Sequence, residues 1–185
     1  MTVSAERTAQ RGLRYTLLAV FVVGVRRRDP GAVVNAVVAA IGTCLPDLVE
    51  RAYDIELRPW QRLYVRLGMV THAVGMLGPY DDVWWWDHLT HTHSSSILAG
   101  AVFALSRHRG RDPGPRVVAV VACLGLLWEL LEYAVHSAGT RLGFEPVLVS
   151  YGPKDTALDL VFDLVGALLV LAFGDRVLGD LAADS

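Results

Sequence analysis

The chain has 185 residues, 53% of them hydrophobic and only 19% charged, with a mean hydropathy of +0.38. That balance excludes an ordinary soluble domain, because the apolar residues arrive in blocks separated by charged clusters. A formal net charge of −2 excludes bulk affinity for nucleic acid, and Cys44 and Cys123 stand in apolar segments without zinc-type or redox spacing.

Residues 1–12 are polar and read as a cytoplasmic N-terminal tail. The first apolar block, 13–25, ends in Arg26-Arg27-Arg28 and lacks a small-residue cleavage site, so it reads as an uncleaved span rather than a signal peptide. It is short for a hydrocarbon core of about 30 Å. A second span covers 30–49, with Pro30 and Gly31 near its start, and the charged stretch ERAYDIELRPWQR at 50–62 is a connection along the interface. The third span, 63–77, ends at Gly78-Pro79, and the fourth, 85–106, opens on WWWDHLTHTHSSS. A basic, turn-rich loop, RHRGRDPGPR, separates it from the fifth span at 117–136. The sixth has its core at 157–173 and is entered from Pro153. Short loops make neighbouring helices antiparallel. The expected fold is therefore all-α, a polytopic transmembrane helix bundle of about six spans over 13–174, with a cytoplasmic C-terminal tail at 175–185.

Orientation follows the basic residues. Strict alternation collects most of the arginines on the side that holds both termini, the 50–62 connection and the 107–116 loop. Both termini are expected in the cytoplasm and the chain in the cell membrane; only the Arg26–Arg28 run dissents.

Charges at helical spacing inside apolar segments are the least expected feature. Asp87 and His91 are four apart and share a helix face, as do Glu129, Glu132 and His136 at spacings of three and four. Asp155, Asp159 and Asp163 repeat every four residues. At about 1.5 Å per residue, His91, Asp159 and Glu132 fall about 6 Å below the outer boundary. Asp163 and Glu129 lie about 10–12 Å deep, with His72 near that level. Each acid alone costs roughly 2.5–3.5 kcal/mol at a helix centre. Apart from Arg66, no Lys or Arg lies within the neighbouring spans, and Lys154 and Arg141 can neutralise two acids at most. The acids must share protons, bind a divalent cation or line a wet vestibule.

Mixed carboxylate and imidazole donors suit Zn, Mn or Fe(II) better than Ca. The expected ligands are Asp87, His91, Glu129 and Glu132, with Asp159 and Asp163 next and His72, His136 and Asp155 as weaker candidates. Asp155 also fits a helix N-terminus, where an acid stabilises the dipole. Asp159 or Asp163 would serve as the base toward water in a hydrolysis of a lipid-linked substrate. His88 points about 100° away from Asp87 and toward headgroups, while His93 and Ser94–Ser96 line a vestibule or bond between helices. The alternatives are a proton-coupled transporter, in which the same acids titrate, and a structural or accessory membrane subunit whose polar cluster fixes helix registry. No nucleotide-binding or phosphate-loop motif is present, and the bilayer is the one partner expected.

At these residues the chain resembles the YjdF-like family of uncharacterised prokaryotic integral membrane proteins. The shared elements are Trp86, Asp87 and His91 opening a span; Glu129, Glu132 and Tyr133 in the next; and Asp155, Thr156, Asp159, Asp163, Gly166 and Ala167 in the last. HAVGMLGPY, with His72, is similar to the stretch before the first motif. The extra tryptophans and THTHSSS depart from the family pattern. The resemblance implies a multi-pass membrane protein and no established activity. A looser likeness to VanZ-type membrane proteins rests on Asp, His and Glu at helix mouths.

Overall fold

A computed structural model describes the backbone of residues 3–182 and the side chains of residues 8–181. The fold is an all-α membrane bundle, with no strand among the described residues. Three helical stretches are long and apolar enough to cross a membrane by length and composition: Pro30–Tyr53, which is two consecutive helices, Pro113–Leu142 and Pro153–Val177. Its exposure pattern inverts that of a soluble protein. Glu129, Asp159, Asp163 and His91 are buried, whereas Leu126, Leu127, Leu130, Leu131, Leu164 and Leu168 are exposed. Lipid, being as apolar as leucine, removes the drive to hide such side chains and leaves polar groups to meet inside.

The chain divides into two compact units. The first comprises residues 1–86 and 135–148. Helix α1, Val3–Arg27, begins ten residues before the expected span at 13 and absorbs most of the stretch expected as a tail. Glu6, Arg7, Ala9, Gln10 and Arg11 are strong helix formers. With them the helix reaches about 37 Å, although its apolar block stays at 13–25 and it is not among the three stretches apolar enough to cross. Residues 1, 2 and 183–185 lie outside the described residues. After Arg28 in the left-handed region (φ 58°), Asp29 caps α2, Pro30–Gly42, by accepting the Ala32 N–H at 2.8 Å.

The second expected span is divided at Thr43–Cys44, because Pro46 has no N–H to continue the ladder and restarts the chain as α3, Leu45–Tyr53. Part of the expected 50–62 connection is therefore helical. Glu50 orders the remainder by accepting the Leu57 N–H at 2.8 Å and pairing with Arg62 at 3.2 Å. Helix α4, Pro59–Gly75, packs with α1 and α2 around Leu17, Val20, Ala36, Ala39, Val70 and Ala73. Arg66 on α4 is 8% exposed, and donates to Asp47 at 2.8 Å and to the Thr43 carbonyl at 3.1 Å. A short α5, Pro79–Asp82, follows.

The second unit comprises residues 87–134 and 149–185. It contains α6, Trp86–His108 (from Asp87), the N-terminal part of α7, Pro113–Leu142, and both α8, Pro153–Val177, and α9, Gly179–Ala182. Ala99, Phe103, Val117, Val121, Ala167 and Val170 form its apolar core. Glycines set the close approaches. A Cβ on Gly166 of α8 would meet Ser95 Oγ and the Thr92 and Ser96 backbone of α6, and one on Gly125 of α7 would meet the Asp163 carboxylate of α8. Thr92 Oγ1 donates across to the Phe162 carbonyl at 3.2 Å.

Candidate metal centre

The second unit brings polar residues of α6, α7 and α8 together above that core. On α6, His91 stands one helical turn beyond the neighbours Asp87 and His88, so two imidazoles and a carboxylate leave adjacent turns. On α8, Asp155, Asp159 and Asp163 repeat every four residues, with Phe162 one turn beyond Asp159. Helix α7 contributes Glu129, one turn after Gly125, whose missing side chain lets Asp163 lie against α7.

His91 is the hinge of the cluster. Its Nδ1 lies 3.2 Å from Asp163 Oδ1, while its Nε2 faces Asp87 Oδ1 at 3.7 Å and Asp159 Oδ1 at 4.0 Å. An ionised Asp163 can only accept, so His91 Nδ1 donates to it, and Nε2 is left on the side of the other two carboxylates. Separations of 3.7 and 4.0 Å exceed hydrogen-bond range. Asp159 is 1% exposed, and its Oδ1 has no hydrogen-bond partner. A carboxylate oxygen buried without a donor costs several kcal/mol unless something cationic or a proton sits beside it.

Asp87, His91 and Asp159 each offer one donor atom, all within 4.8 Å of one another. Donors bonded to one first-row cation at about 2.0–2.2 Å stand roughly 3–4 Å apart, so the set needs only a small contraction. One imidazole and two carboxylates suit zinc, manganese or ferrous iron, and Asp163 has the place that outer carboxylates take behind metal-bound histidines. Thr90 Oγ1 donates to the Asp87 carbonyl at 2.8 Å, which seats Asp87 in the first turn.

The other residues singled out from the sequence have distinct places. Glu129 is 6% exposed; Thr156 hydrogen-bonds its carboxylate, and its Oε1 is buried without a hydrogen bond. Glu132 is half-buried and accepts the Trp128 indole N–H at 3.1 Å. Neither glutamate belongs to the three-atom set. Asp155 is half-buried in the first turn of α8. His72 and His136 belong to the first unit, where His72 Nδ1 is 2.8 Å from the Tyr80 hydroxyl.

His88 does not face headgroups. Its ring stacks on Phe162 at 4.3 Å and 6°, and its Nδ1 is 3.7 Å from Asp159 Oδ1. A single-helix projection misses it, because Phe162 and Asp159 belong to another helix. The D-H-x-x-H spacing was the available signal. Ser94 donates to the Thr90 carbonyl, Ser95 to Thr92 and Ser96 to His93, bonds made within α6.

Comparison with known proteins adds kinship without chemistry. An uncharacterised protein of Thermotoga maritima is 25% identical over 138 residues, covering 68% of this chain and 67% of its own length. No solved structure matches the chain. A family model described as "Predicted membrane protein (DUF2238)" matches residues 9–180, in agreement with the resemblance read from the motifs. By that match over nearly its whole length, the chain belongs to this family of membrane proteins.

Proposed function

We propose that the protein is a multi-pass membrane protein, of about six spans and with both termini cytoplasmic, that holds a divalent cation between Asp87, His91 and Asp159. The observation that carries this reading is the Asp159 oxygen, buried and without a hydrogen bond, which His91 Nε2 approaches at 4.0 Å. Zinc, manganese or ferrous iron fits the donors. A cation on three protein donors keeps a position for water or substrate, and supplies Lewis acidity toward an ester or phosphoester oxygen. Asp159 is occupied as a ligand and Asp163 as the support of His91, so the base expected of one of them falls to Glu129, whose Oε1 is buried and has no hydrogen bond. The chemistry that follows is hydrolysis of a lipid-linked substrate reached from within the bilayer.

The test is elemental analysis of the detergent-purified full-length protein beside an Asp87→Asn, Asp159→Asn double variant. Zinc, manganese or iron should copurify with the wild type and be absent from the double variant. Equal metal content in the two proteins overturns the proposal. Where the metal assignment holds, Glu129→Gln should keep the metal and lose release of headgroup from lipid; full release by that variant removes Glu129 from the role.

A further inference from the structure

We infer that His88 is the second imidazole of the centre, giving two imidazoles and two carboxylates in all. The inference rests on the metal assignment above and adds a ligand to it; with four protein donors, the position for water or substrate is kept by a cation that takes five or six ligands. The oxygen that His91 Nε2 approaches at 4.0 Å, Asp159 Oδ1, is also 3.7 Å from His88 Nδ1. Two imidazole nitrogens thus flank one carboxylate oxygen, each too far for a hydrogen bond and each near enough to share a cation with it. The side chains are shielded, His88 at 12% exposure and Asp159 at 1%.

The two helices interlock in pairs. His88 and His91 are one turn apart on α6, and Asp159 and Phe162 are one turn apart on α8. Phe162 holds the plane of the His88 ring by parallel stacking at 4.3 Å, with Nδ1 kept on the side of Asp159. His88 lies outside the Asp87–His91–Asp159 set, whose atoms are already within 4.8 Å of one another. Binding therefore draws its nitrogen inward by a slide of the ring along the face of Phe162, a motion that parallel stacking allows. Such a donor set favours a borderline d-block cation over calcium or magnesium, which prefer oxygen alone.

Copper(II) is the probe that counts nitrogens. The purified full-length protein is loaded with one equivalent of copper per chain, and the nitrogen couplings in its electron paramagnetic resonance spectrum are read. The wild type should show two coordinated imidazole nitrogens, and His88→Gln and His91→Gln one each. His88→Gln should bind copper more weakly by at least the roughly 10–100-fold that loss of an outer-sphere partner causes. Phe162→Leu keeps the nitrogen and should retain the two-nitrogen pattern. A wild-type spectrum with one nitrogen overturns the inference without any variant, as does an unchanged spectrum in His88→Gln. Copper bound equally by Asp159→Asn would instead sink the metal centre itself, and His88 with it.

Discussion

Asp163→Asn probes the centre through its support. His91 Nδ1 and Asp163 Oδ1 are 3.2 Å apart, and each side chain is only 8% exposed. A hydrogen bond to a charged acceptor in such a place contributes about 1.5–3 kcal/mol, whereas the neutral bond an asparagine carbonyl can still accept contributes about 0.5–1.5 kcal/mol. The difference, about 1–1.5 kcal/mol, corresponds to about a tenfold weaker hold on the metal. Asp163→Ala removes the bond altogether, so the loss should approach 100-fold, at the upper end for outer-sphere partners of metal-bound histidine. The assay is competition for zinc between the detergent-solubilised protein and a chelator of known affinity, with thermal unfolding of the metal-free protein measured in parallel. Unchanged zinc affinity in both variants would refute the role given to Asp163. An affinity loss fully matched by a loss of metal-free stability would assign it to packing.

Two further substitutions separate steric from electrostatic contributions. Gly166→Ala places a methyl group against the Thr92 and Ser96 backbone, which cannot swing aside. Overpacking of about 1–3 kcal/mol should exceed the roughly 1 kcal/mol gained in helix propensity, so the melting temperature should fall; an equal or higher value contradicts the close α6–α8 contact. Asp175→Asn breaks an ion pair with Arg107 that is short, 2.6 Å, but whose side chains are 44% and 72% exposed. Such pairs contribute about 0–1 kcal/mol, so thermal unfolding should be nearly unchanged, and a large drop would show that solvent screening is weaker there than exposure implies.

The polar cluster was legible because helical period does most of the work within one segment. DxxxDxxxD on α8 and DxxxH on α6 put their side chains on single faces before any packing is known. Glycines 125 and 166 then set how near those faces come, which depends on the neighbouring helix and is silent in the sequence. His88 was misplaced for the same reason, its partners Phe162 and Asp159 being visible only once α6 and α8 are side by side. Glu129 and Glu132 share a spacing with one another but not an environment: one is buried beside Thr156, the other caps the Trp128 indole. In the first unit, Pro46 carried a break that an apolar run concealed, and the helix formers at 6–11 extended α1 past its apolar stretch. Arg66, a cation inside the third apolar segment, is matched by Asp47 within its own unit.

The hydroxyl-rich first half of α6 bears on how that helix can enter hydrocarbon at all. A residue-by-residue transfer scale treats Thr90, Ser94, Ser95 and Ser96 as bare donors, and α6 is absent from the helices apolar enough to cross by composition. Yet each of these hydroxyls is already engaged by a carbonyl one turn back, so the desolvation that makes serine unfavourable in oil is largely met inside the helix. Substituting these serines by alanine would therefore raise the hydropathy sum while freeing carbonyls from their second donor, and insertion of α6 should improve by less than the scale promises.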